Sequence, residues 1–102
     1  MTTTRFPVDN KPSPAVGLTD FSGTTTAAAA LTIMPDNPDA TEYRLQNLSQ
    51  TEILWFNDTG GVAAAFAPGS YALSPMGYYE GRSTKAVSVF CVAAVPFSAA
   101  RY

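Results

Sequence analysis

Glu42 and Glu52 are the two carboxylates whose placement could support acid–base chemistry. They flank neighbouring predicted strands, and a pair of carboxyl groups across a glycosidic bond is the machinery of glycoside hydrolysis. Both sit at strand ends beside turns, where solvated acids are ordinary. Nothing near them separates one pKa from the other into an acid and a base. Asp36, Asn37, Asp39 and Glu42 gather hard oxygen ligands at short spacing, the ligand type that calcium takes. Pro35 and Pro38 interrupt that cluster and the spacing departs from the calcium-loop pattern, so the segment reads as a turn.

Nucleophilic chemistry lacks its usual base, because the chain has no histidine. The single cysteine, Cys91, lies in the apolar run Val87–Val92 and reads as a buried thiol acting as a small hydrophobe. One cysteine cannot form an intrachain disulfide, and no Cys/His cluster has zinc-site spacing. Gly60-Gly61 is a hairpin glycine pair and not a phosphate cradle. Neither a cofactor nor a metal is expected, and the chain does not read as an enzyme. Trp55, Phe56, Tyr71, Tyr78, Tyr79 and Phe90 could stack on sugars. Tyr78 and Tyr79 point to opposite faces of an extended segment, so at most one faces outward, and core packing with subunit contact is the preferred reading.

The elements that would position these residues are short strands. Glu42–Asn47 alternates, with Tyr43 and Leu45 on one face and Arg44 and Gln46 on the other. Glu52–Asn57 is apolar on both faces, which suits a central or interface strand and predicts a packed Trp55. The Thr cluster and the Leu-Thr-Ile alternation predict a strand over 24–34 despite four alanines. Further strands are expected over 62–67, 70–73, 86–92 and 95–102, with Pro96 near an edge or bulge. Turn signals fall at Pro35–Asp39, Asn57–Gly61 and Pro68-Gly69. Short strands at this spacing, with no convincing helix, predict an all-β fold: a small β-sandwich over residues 24–102.

Residues 1–23 differ in texture. Pro7, Pro12 and Pro14 predict an extended N-terminal arm, and Phe6, Val8, Val16, Leu18 and Phe21 punctuate it as candidate partner-binding anchors. The arm is expected to reach a neighbouring subunit and to contribute little to the fold; the alternative is an edge strand on its own domain. Fully extended it could span roughly 70 Å.

Composition narrows the function classes. At 102 residues the chain supports one domain with a thin core. Charged residues make up 14%, against roughly 25% in a typical soluble domain, which predicts a surface covered by other protein. Its six basic residues are dispersed and the net charge is −2, so no nucleic-acid surface is expected. The N-terminus has no apolar signal region, and Ala86–Ala100 is too short and too interrupted to span a membrane, so a cytosolic origin is expected.

Four segments taken in order carry a resemblance: Glu42–Ser49 with its Arg-x-x-Asn-x-Ser pattern, Ile53–Phe56, Ala67–Tyr71 with Pro-Gly, and Ala86–Val89 with Val-Ser-Val. Together they resemble small tailed-bacteriophage virion proteins, over about residues 24–102. The resemblance implies a jelly-roll-like β-sandwich and a capsid decoration or cement protein that stabilises contacts between capsomers. It implies a homotrimer or other closed ring, docked on the major capsid protein or another virion protein, and assembled into the virion in the host cytoplasm. A tail, neck or fibre-base subunit is the alternative, and a small carbohydrate-binding β-sandwich is the third reading. The proline-rich arm departs from the simpler N-terminus usual in that family.

Overall fold

The computed structural model describes residues 17–102. Among these residues nine antiparallel strands form two sheets: β1 (Thr19–Asp20), β2 (Gly23–Thr24), β3 (Ala29–Met34), β4 (Tyr43–Asn47), β5 (Leu54–Asn57), β6 (Tyr71–Leu73), β7 (Tyr78–Gly81), β8 (Val87–Cys91) and β9 (Pro96–Arg101). No helix occurs among the described residues. β1 and β2 follow one another along β9, from Thr19 opposite Arg101 to Thr24 opposite Pro96, as one interrupted strand. The first sheet then runs β1/β2–β9–β4–β7 and the second β3–β8–β5–β6. With the interrupted strand counted once, the sheets hold the first, eighth, third and sixth strands, and the second, seventh, fourth and fifth. Only the β5–β6 connection stays within a sheet. This is the jelly-roll order, which buries one face of each sheet against the other.

Period-2 patterning places the core. Tyr43 and Leu45 of β4, Phe97 and Ala99 of β9, Val87, Val89 and Cys91 of β8, and Leu54 and Phe56 of β5 all point between the sheets. Cys91 is fully buried there, as a small hydrophobe would be. Pro96 opens β9 opposite Thr24, at the first residue of the strand, where a missing donor is tolerated.

Three expectations need correction. The boundary at residue 23 falls inside the interrupted first strand, so residues 19–24 belong to the sandwich. Phe21 donates its backbone N–H to Ala99 O at 2.8 Å, and its ring packs against the core. Residues 25–28 are not strand: Ala28 takes a φ of 57° in a turn, and β3 begins at Ala29. Residues 62–67 are not strand either, for the reason given below.

Candidate functional site

The loop over residues 58–70 lies on the outer face of the second sheet. Buried polar side chains on that face hold it. Asn57 Oδ1 accepts from Thr59 N at 2.9 Å and from Thr59 Oγ1 at 2.6 Å. Ser88, the centre of the Val-Ser-Val segment, is buried on the outer side of β8, and its Oγ accepts from Ala63 N at 3.0 Å. Ser70 Oγ accepts from Ala64 N at 3.1 Å. The chain reverses at both ends of the loop through left-handed glycines, Gly60 at φ 92° and Gly69 at φ 87°. The backbone donors of 62–67 thus go to side chains and turns and not to a neighbouring strand, which is why the segment is a loop.

Phe66 sits at the tip of this loop. Its φ is 59°, a left-handed conformation that costs an L residue with a Cβ about 1–2 kcal/mol. Its side chain is nevertheless 87% exposed, tilted over Trp55 with ring centroids 4.7 Å apart. Leu54 and Phe56 take the core face of β5, so Trp55 projects outward, half-buried, opposite Phe90 of β8. Ile53 and Val92, 42% and 60% exposed, complete an apolar depression of about 240 Å³ that also includes Ala65. Among the described residues Glu52 is the only charged one lining it. Such a surface is built to lose water against another apolar surface.

The arm anchors do not converge on this patch. Phe6, Val8 and Val16 lie outside the described residues. Leu18 is half exposed beside β1, and Phe21 is engaged with its own domain. Glu42 and Glu52 are also kept apart. Glu52 O accepts from Asn47 Nδ2 at 2.8 Å, so Glu52 sits by the last residue of β4, while Glu42 precedes the first. The two therefore sit at opposite ends of β4. Glu42 instead accepts from Tyr102 Oη at 2.7 Å and pairs with Arg82 at 3.4 Å on the surface. Asp36 and Asn37 stabilise turns, Asp36 Oδ1 accepting from Ala86 N and Asn37 Oδ1 from Asp39 N. Among the described residues no three His, Cys, Asp or Glu side chains gather as metal ligands.

Two motif positions prove to organise the fold. Asn47 is fully buried; its Nδ2 donates to the carbonyls of Glu52, Leu73 and Ser74, and its Oδ1 accepts from Ser49 N. Ser49 Oγ accepts from the backbone N–H groups of Thr51 and Glu52. The Asn-x-Ser pattern therefore ties the turn after β4 to the β6–β7 connection.

Sequence reasoning missed Arg101, which is buried, with its guanidinium donating to the carbonyls of Pro35, Ser83 and Lys85. Burial pulls its pKa below the ordinary arginine value. Its one legible signal was period: it falls two residues after Ala99 on the inward face of β9. Tyr43 donates its hydroxyl to Asp58 Oδ2 at 2.6 Å, and burial, aided by that bond, pushes its pKa well above the ordinary tyrosine value. Phe66 was missed because an isolated aromatic in an alanine-rich run carries no periodic signal. The chain matches no protein-family model, no curated protein and no solved structure.

Proposed function

We propose that the chain is a structural subunit of a bacteriophage virion, of the capsid decoration kind, which docks on capsid protein and stabilises contacts between capsomers. The observation that carries the reading is Phe66. A bulky residue held in a strained backbone conformation, with its ring presented to solvent over Trp55, has no use in an isolated monomer. Burying that ring against a partner contributes about 1.5–3 kcal/mol, and Ile53 and Val92 add to it.

Two further features support assembly. β3 is six residues long, Ala-Ala-Leu-Thr-Ile-Met, without charge or proline, and among the described residues it pairs on one side only, with β8. Soluble monomers normally blunt such an edge, so a homo-oligomer, most simply a trimer, accounts for its bareness. The four segments that resemble small phage virion proteins also fall where the fold is organised: Asn47 and Ser49 in the turn after β4, β5, the Gly69 turn, and Ser88. A jelly roll hosts lectins as well as capsid proteins, so the fold alone does not choose between them. The exposed apolar patch favours docking on protein.

The test is co-sedimentation of the purified chain with phage heads that lack it. Binding that Phe66→Asn abolishes, while the melting temperature holds, supports the reading. Binding to tails but not to heads would favour the tail, neck or fibre-base reading, and equal binding by the Phe66→Asn variant would remove Phe66 as the docking element.

A further inference from the structure

The outer face of the first sheet carries a different chemistry from the Phe66 patch. Directly opposed residues of antiparallel strands project from the same face. Asp20, Ala100, Arg44 and Glu80 therefore form one row across β1, β9, β4 and β7. Ser98, Gln46 and Tyr78 form the next. The small side chains of Ser98 and Ala100 make β9 the floor of a trough. Asp20 and Ser22 wall one side, and Arg44, Gln46 and Tyr78 the other, around about 200 Å³.

The walls are pre-organised by bonds to one another and to residues beside the trough. Ser22 donates to Asp20 Oδ1 from its backbone N–H at 3.0 Å and from its Oγ at 2.6 Å, which keeps the carboxylate ionised and aimed. Tyr78 donates its hydroxyl to Glu80, which fixes a ring that is 51% exposed. Arg44 lies 5.8 Å over the Tyr102 ring. Gln46 Nε2 donates to Met76 O at 3.3 Å, and its Oε1 accepts from no group among the described residues.

We infer that this trough binds a neutral oligosaccharide. A pyranose presents an apolar ring face ringed by hydroxyl groups that both donate and accept. The trough answers with one exposed aromatic face, the Asp20 carboxylate and an amide oxygen as acceptors, and a guanidinium as donor. The lining charges, Asp20 against Arg44, cancel, which offers no attraction to an anionic ligand and suits a neutral one. The shallow, small-residue floor admits a chain lying along β9 and not a globular partner. The inference does not depend on the docking role, since it uses the opposite sheet.

The test is a titration of the full ¹⁵N-labelled chain, followed by amide chemical shifts, with maltohexaose, cellohexaose, xylohexaose and N-acetylchitohexaose at millimolar concentration. At least one glycan should shift the amides of residues 44, 46, 78, 98 and 100 and leave those of 53, 55 and 66 in place. Tyr78→Ala should weaken that binding about fivefold or more with the rest of the spectrum unchanged. Arg44→Gln should weaken it while keeping the fold, which separates ligand contact from any effect of trimming the aromatic. The inference is overturned if no member of the panel shifts these amides, if the shifts fall elsewhere, or if Tyr78→Ala binds equally well. A synthetic peptide of residues 1–16 that shifts the same amides when the glycans do not would also overturn it, and would assign the trough to the arm.

Discussion

Replacing Asn47 with alanine removes a side chain that is fully buried and uses both its N–H groups and its oxygen in hydrogen bonds. Its two N–H groups serve the carbonyls of Glu52, Leu73 and Ser74, and its oxygen serves the Ser49 N–H. The substitution orphans these groups where water does not reach easily. At about 1 kcal/mol net per bond, three bonds give a loss of about 3 kcal/mol, to which the cavity adds. Total stability for such a domain is about 5–15 kcal/mol, so the loss is a large share. It corresponds to a fall in Tm of about 12–24 °C. The assay is equilibrium urea unfolding followed by Trp55 fluorescence, at fixed protein concentration because self-association would add to apparent stability. Asn47→Asp should cost at least as much at neutral pH, since it aims a carboxylate at three carbonyl oxygens. Burial raises the folded-state pKa of the introduced carboxyl above its unfolded value of about 3.9. Stability should therefore recover as pH falls through that folded value and be lost as pH rises through it. An Asn47→Ala variant within about 1 kcal/mol of the parent would refute the structural account of the motif.

Four shorter expectations follow from the same structure. Phe66→Gly should leave stability unchanged or raise it by about 1 kcal/mol in urea unfolding, because it relieves a left-handed φ while removing an exposed ring; a marked loss would mean that Phe66 is part of the core. Arg101→Met should cost about 3 kcal/mol by leaving three carbonyls without a donor, and a neutral result would show that water replaces the guanidinium readily. A chain starting at Gly17 should melt near the parent, whereas one starting at Thr25 should lose much of its Tm with β1 and β2; equal melting would make those strands dispensable. Tyr43 has a raised folded-state pKa, so its contribution is intact below about pH 10, the unfolded value, and falls as pH rises above it. Unfolding across that range should show a decline in stability that Tyr43→Phe flattens.

The strands with one wet face were legible in the sequence. Tyr43-Arg44-Leu45-Gln46-Asn47 alternates because β4 has the core on one side and the solvated trough on the other. β5 is apolar on both faces because the loop over 58–70 covers its outer side, a packing partner that no local period announces. The first strand was hidden for a different reason. It is broken at Phe21-Ser22 into two pairs of residues, too short for any period, and proline and glycine around it read as an arm. Residues 62–67 look like a strand by composition, but their donors are claimed by Ser88, Ser70 and a tight turn, which throws Phe66 outward. Arg101 was counted only among the dispersed basic residues; its three carbonyl acceptors come from segments distant in sequence, so its place two residues after Ala99 was the one local sign of burial. The outward Tyr78 and inward Tyr79 follow the alternation of an extended pair, Tyr79 packing 4.9 Å from Phe56.

The proposed docking role stands or falls on where the chain sits in an intact particle. Electron cryomicroscopy of the virion, at a resolution that separates strands, should place copies of this jelly roll at fixed positions on the capsid surface. Phe66, Ile53 and Val92 should be buried against capsid protein at capsomer boundaries. A particle without the jelly roll, or one in which the Phe66 loop faces solvent while another face makes the contact, would contradict the account.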